Sequence, residues 1–179
     1  NMIEAMKKFG GIGLSANQVG LPYKMFVMDT QDKGPVGFFN PKITKASSDT
    51  ENMKEGCLSF QDIYVMIKRS KVIELTYQDS DAKEHTLVLS GMAARCVQHE
   101  CDHLNGVLFI QRASRLKIER ALKSRPKERK KRLEYEKRIA MAKFIAEQQK
   151  QLEESRTNSS DKSEGEGNTG TSDDKVAQT

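Results

Sequence analysis

The segment Val97-Gln98-His99-Glu100-Cys101-Asp102-His103 constrains this chain more than any other. Two histidines four residues apart share a face when the segment is helical, so their imidazoles can bind one metal ion. The glutamate beside the first histidine can then act on water bound to that ion. Two hydrogen-bonded core histidines would be the plainer reading. These are, however, two of only three histidines in the chain, at metal spacing, with Glu in the required slot. The third, His85, falls in a strand candidate and reads as a surface or hairpin residue.

The helix carrying this segment is expected from Gly91 to Asn105, with Ser90 as its cap and Gly106 closing it. Met92, Cys96, Val97 and Leu104 imply that it is packed into the domain. Before it, residues 2–9 read as a helix end, stopped by Gly10-Gly11-Ile12-Gly13. Strands are expected over Tyr23–Asp29, over Gly37–Pro41 as a short strand ending at its proline, and over Ile63–Lys68, Val72–Tyr77 and Glu84–Leu89. Gln78–Lys83 is rich in turn formers and joins the last two as a hairpin. Ala46–Lys54 reads as a polar loop. From Ser114 the chain is helix-forming and densely charged, with a break at Ser124-Arg125-Pro126, to about Glu154. The low hydrophobic fraction of 36% is a local deficit, because almost nothing after about Ser155 could be buried. That stretch cannot repay its ordering entropy, so 156–179 is expected to be a disordered tail.

The expected organisation is therefore an α+β domain over 1–111, a basic helical extension over 112–155, and the tail. No apolar run approaches the roughly 18 residues that cross a membrane, so a soluble protein is expected. The start has neither the basic segment nor the apolar core of a signal peptide, and it is not a methionine. The three cysteines are an odd set, expected as thiols in a reducing compartment. They would be small buried hydrophobes or metal ligands.

A metal needs a ligand beyond the two histidines. Cys96 lies three residues before His99 on the same helical face, whereas Cys101 lies nearly opposite. Cys57, within Glu55-Gly56-Cys57-Leu58-Ser59, is distant in sequence. Helical geometry leaves Cys57 and Cys96 both open.

Three segments, Gly11-Ile12-Gly13-Leu14-Ser15-Ala16-Asn17-Gln18, Glu55-Gly56-Cys57-Leu58-Ser59 and Gln98-His99-Glu100-Cys101-Asp102-His103, resemble the three signature motifs of peptide deformylases, in the family's order and at similar separations. The similarity spans about residues 3–111. It implies small antiparallel sheets packed around the central helix that carries the histidines, followed by a C-terminal helix. It also implies that Cys57, His99 and His103 hold a divalent ion, usually Fe(2+), with Zn(2+), Ni(2+) or Co(2+) able to replace it. Water would fill the fourth position of a tetrahedral site.

The reaction so implied removes the formyl group from the N-terminal formyl-methionine of nascent chains, releasing formate. Hydroxide generated at the metal attacks the formyl carbon, and Glu100 takes the water proton and passes it to the departing amine. Charge growing on the formyl oxygen meets the Gln18 amide and the Leu58 backbone N–H. Ile12, Gly13 and Gly56 fit a place where an extended peptide pairs closely with the enzyme.

The chain departs from the family pattern in three ways. Ten residues precede the glycine motif, where a first strand and loop are usual, which bears on stability more than on chemistry. Ser15 stands where a small apolar residue is common. Phe60-Gln61-Asp62-Ile63-Tyr64 lacks a proline and an arginine often found there, which bears on peptide preference beyond methionine.

Between Arg112 and Lys143 there are fourteen Lys or Arg against four acids, a density that can bind phosphates without reading sequence. A solvated charged helix is the bland reading. With the function implied above, ribosomal RNA becomes the expected partner of 112–143, and a cytoplasmic location in a bacterium, or in a bacterial host expressing a viral gene, is expected, with an organelle as the other setting. Two rival functions remain at this point. An HExxH-type zinc peptidase would take its third ligand from Glu119 or Glu128. An RNA-binding protein with a structural metal site would close that site with Cys96.

Overall fold

Five of the seven strands follow from alternating or β-branched runs, and the larger sheet seats one helix. The computed structural model describes residues 1–30 and 34–160. Helix α1 (Met2–Lys8) is capped by Asn1, whose side chain accepts from the backbone of Ile3 and Glu4. Strands β1 (Gly13–Ser15), β2 (Met25–Thr30), β3 (Gly34–Ala46), β4 (Thr50–Cys57), β5 (Phe60–Ser70), β6 (Val72–Gln78) and β7 (Glu84–Ser90) follow. Between β1 and β2 lies a 3-10 turn, Ala16–Val19. Helix α2 (Gly91–Leu104), a second 3-10 turn (Phe109–Arg112) and helix α3 (Arg115–Ser160) complete the described chain.

All strand pairs are antiparallel, in a five-stranded sheet of order β1-β2-β3-β6-β7 and a two-stranded sheet β4-β5. Helix α2 packs on the larger sheet through Ala94, Cys96, Val97 and Cys101, against Phe26, Met28, Phe38, Ile73 and Leu75. Phe26 stacks on Phe38 with ring centroids 4.8 Å apart. Burying each large side chain here contributes about 1.5–3 kcal/mol. A second core joins Ile63, Val65 and Ile67 of β5 to Phe109 and Ala121, and a third joins Met6, Leu14 and Val27. The expected α+β class, with antiparallel sheets around a central helix and a helix after it, is the fold found.

Several local expectations need correction. Thr50–Cys57 is strand rather than loop; it has one partner only, β5, and its mostly exposed polar residues hide the alternation of a core strand. Pro41 does not end β3. The strand passes it through a register shift between Phe39 and Lys42, with Asn40 at a φ of 49°, where Pro costs no ladder bond. Met92 is half exposed, so it is not among the residues that seat α2. Ser90 is the N-cap residue of α2 but makes no side-chain cap bond. Pro126 lies inside α3 without ending it.

Gly106 takes a φ of 73° just past α2, the conformation that a helix-ending glycine supplies. The chain divides into two units between Lys130 and Lys131. The first holds both sheets, α1, α2 and the start of α3, whose Ala121 is buried in the β5 core. In the second, the described residues continue α3 to Ser160. The tail expected from 156 lies, from residue 161 onward, outside the described residues. No helix among the described residues is long and apolar enough to cross a membrane.

Candidate metal centre

Cys57 ends β4, and the turn that follows puts its thiol over the last turns of α2. Its Sγ lies 3.2 Å from His103 Nε2, which in turn lies 3.2 Å from His99 Nε2. The three donor atoms fall within 4.8 Å of one another. Ligand atoms around a single tetrahedral ion stand roughly 3.3–3.6 Å apart given metal–ligand bonds of about 2.0–2.3 Å. Two imidazoles and a thiol at this spacing fit one divalent ion as a donor set.

Glu55, two residues before Cys57, orients the first histidine. His99 Nδ1 lies 3.2 Å from Glu55 Oε2, so its N–H points at the carboxylate and Nε2 is the nitrogen turned toward the cluster. Glu55 is itself held by Arg69 at 2.7 and 2.9 Å and by Arg95 at 2.5 Å. Arg69 also donates to Asp102 Oδ2 at 2.7 Å, and Arg112 adds bonds to both Asp102 oxygens. These charges are buried apart from Arg112. Two carboxylates and two guanidiniums thus lock β4, β5 and α2 together behind the histidines.

Burial by itself would raise the Glu55 carboxyl. The bonds from His99, Arg69 and Arg95 outweigh it and hold the group at about 2. Burial likewise opposes the Cys57 thiolate, yet the two histidines and the Ser59 backbone bring that thiol down to about 6. Burial pushes His99 toward neutrality, but Cys57 and Glu55 raise it to about 9. Without a metal the proton therefore rests on the imidazole rather than on the thiol, and metal binding at these atoms must displace it.

Glu100 is buried beside the cluster. Its carboxylate lies against Gly13, where a Cβ would come within 2.6 Å of Oε1, and it accepts a hydrogen bond from the Ser15 hydroxyl. Burial, more than any partner, pushes its pKa above the usual carboxylate value, against the pull of Ser15, His99 and His103. Gln18 stands in the 3-10 turn after β1. Its Oε1 accepts the Ser15 N–H at 2.9 Å, which fixes the amide so that Nε2 faces Cys57 Sγ at 3.5 Å and Ser59 Oγ at 3.1 Å.

Leu58 lies in the turn after Cys57, its side chain packed over Gly11. Ile12 is half exposed, and its carbonyl accepts the Asp29 N–H at 2.9 Å. Gly13 is in β1, whose only partner among the described strands is β2, and Gly56 is in β4, against the Tyr64 ring.

The structure thus gathers Cys57, His99, His103, Glu100 and Gln18 at one place. Cys96 is instead buried against Gly13 and Glu100, its thiol pushed well up by burial, and Cys101 sits in the sheet core. Glu119 pairs with Arg115 at 3.0 Å on the exposed face of α3, and Glu128 lies 4.0 Å from Lys54. None of these joins the cluster. His85 sits on β7, facing Asp79 at 2.5 Å. Sequence reasoning missed Glu55, Asp102, Arg69, Arg95 and the role of the Ser15 hydroxyl. Glu55 and Asp102 were signalled, as charged residues inside the quoted motifs.

A family model described as polypeptide deformylase matches residues 1–119. The peptide deformylase of Agrobacterium fabrum is 44% identical over 127 residues, covering 69% of this chain and 75% of that protein. Among solved structures, the peptide deformylase of Thermotoga maritima is 50% identical with a TM-score of 0.61, covering 63% of this chain and 76% of that one. That of Synechococcus elongatus, in complex with actinonin, is 40% identical with a TM-score of 0.65, covering 70% and 69%. A match over two thirds of the chain, with the fold and the motifs in agreement, leaves one assignment: the chain belongs to the polypeptide deformylase family.

Proposed function

We propose that Cys57, His99 and His103 bind the metal ion of this peptide deformylase, and that Glu100, Gln18 and the Leu58 backbone carry its chemistry. The enzyme is a metal-dependent hydrolase that removes the formyl group from the N-terminal formyl-methionine of new polypeptides. The observation that carries the ligand assignment is the convergence of one thiol and two imidazole nitrogens within 4.8 Å. An ion held there supplies Lewis acidity, lowering the pKa of a water molecule and polarising the formyl oxygen. Ferrous iron is the ion proposed. Zinc, nickel and cobalt suit the same donors.

Glu100 accepts the proton that the attacking water loses and returns it to the leaving amine. Burial, which favours its protonated form, suits a group that must hold a proton between the two steps. Gln18 donates through Nε2 to the charge that develops on the formyl oxygen; its amide is already turned that way by the Ser15 N–H. The Leu58 N–H donates to the same oxygen. The edge of β1 left unpaired among the described strands at Gly13, with Ile12 just before it and Gly56 of β4, receives the extended peptide.

Two substitutions test the assignment. Cys57→Ala is expected to abolish stoichiometric metal binding, whereas Cys96→Ala keeps it. Metal retained by Cys57→Ala would sink the ligand set.

The basic segment 112–143 is proposed to bind ribosomal RNA, supported by its fourteen cations against four acids. Exchanging Lys127, Arg129, Lys130 and Lys131 for glutamine should then weaken ribosome co-sedimentation at low salt. Unchanged co-sedimentation would count against it. Formylated nascent chains place the reaction where bacterial-type translation occurs, in a bacterial cytoplasm or an organelle.

A further inference from the structure

Strand β1 presents Gly13 and Ser15 to α2 on one face, since residues two apart in a strand point the same way. Both meet Glu100. Gly13 has no Cβ, and one placed there would stand 2.6 Å from Glu100 Oε1 and 3.0 Å from Cδ. The carboxylate occupies that vacancy. Ser15, completely buried, has its hydroxyl on Glu100 Oε2 and 3.2 Å from the Glu100 carbonyl. A hydroxyl has one proton to give, and the carboxylate oxygen is the nearer acceptor.

We propose that Ser15 is a positioning residue for the proton-transferring carboxylate. It fastens Oε2, and the Gly13 backbone stops the group from turning, so that Oε1 alone is offered to the reaction. Among the described residues no protein donor bonds Oε1. The terminal torsion of a glutamate is broad and two-fold, so an unfastened carboxylate samples many orientations. Misorientation of a reacting group by fractions of an ångström slows the chemical step without touching binding. The Ser15 hydroxyl is shielded from solvent and bonds Glu100 alone among the described residues, so this side chain acts through Glu100.

The inference rests on the assignment of Glu100 as proton carrier, and the experiment separates the two. Ser15→Ala, Ser15→Cys and Glu100→Ala are compared with the parent for formate release, in ordinary and deuterated water. Metal per chain and thermal midpoint are measured on each. Cysteine fills the serine volume with a poor donor, so it covers the case in which the alanine variant fails to fold. Both Ser15 variants should lose about tenfold in kcat, with KM within about twofold and metal content unchanged. Their solvent isotope effect on kcat should rise, because proton transfer becomes more limiting. Parental kcat, or an unchanged isotope effect, in the Ser15 variants beside an inactive Glu100→Ala would overturn the role of Ser15 alone. Equal losses in kcat, metal content and thermal midpoint would make Ser15 a packing residue and overturn it too. Activity retained by Glu100→Ala would overturn both assignments.

Discussion

Replacing Glu55 by glutamine removes the one charge that Arg95 and His99 share with Arg69. Removing one member of a buried ion pair costs about 3–5 kcal/mol, because the partner is left buried and uncompensated. Arg69 keeps Asp102, and a glutamine keeps one acceptor oxygen, so the lower end applies. The carboxyl gives an independent figure: the fall from 4.5 to about 2 corresponds to about 3 kcal/mol, at about 1.4 kcal/mol per pH unit. For a unit of this size that loss lowers the melting temperature by about 10 °C.

A second effect follows from the same atom. The single glutamine oxygen is drawn to the position that serves both Arg69 and Arg95, which leaves the amide nitrogen facing His99 Nδ1; without an acceptor there, His99 loses its fixed orientation, and metal affinity should drop about 10- to 100-fold. Melting should be followed by circular dichroism on protein stripped with chelator, which removes the stabilisation that bound metal would add. Affinity is read by chelator competition. Glu119→Gln is the control, since its pair with Arg115 is exposed and should shift melting by no more than about 2 °C. A Glu55→Gln protein that melts within 2 °C of the parent and binds metal within about twofold would refute this reasoning.

Acid should erase the difference between parent and Glu55→Gln. The folded carboxyl lies below its unfolded value, so its stabilisation is complete above about 4.5 and disappears as the pH falls toward about 2. Urea midpoints of the metal-free proteins should converge over that range, and a constant gap would contradict it. Gly13→Ala should cost at least tenfold in kcat, since the new Cβ meets buried Cys96 and Glu100 atoms at 2.6 Å. Gly56→Ala should cost less in stability, because its neighbour is the ring of the part-exposed Tyr64, which can swing away. Thermal melting ranks the two. Gln18→Ala should lower kcat about 10²-fold with little change in KM, as a donor serving the transition state does. Steady-state kinetics on a formyl-Met peptide decides it.

What could be read in the sequence depended on how far apart the interacting residues lie. The His99–His103 spacing declares itself within one helix, and the α2 boundaries follow from a glycine and a serine. The choice between Cys57 and Cys96 could not be made that way. Cys96 does share the helical face of His99, but β1 covers its turn, while β4 delivers Cys57 to the turns beyond. β4 itself escaped notice because Thr50-Glu51-Asn52-Met53-Lys54 is polar and pairs on one side only. Arg69 carried a usable signal: it continues the inward-facing positions Val65 and Ile67, and a cation there needs a buried partner. Ser15 carried none. Nothing local announces that its hydroxyl will meet a carboxylate 85 residues further along.

The central claim is that a Cys57–His99–His103 metal site with Glu100 beside it deformylates peptides. It is tested most directly by formate release from a formyl-methionyl peptide, using protein loaded anaerobically with Fe(II) or Ni(II), with Glu100→Ala alongside at equal metal content. The parent should release one formate per peptide cleaved, and the variant none. Formate release by both, or by neither with metal bound in both, would contradict it.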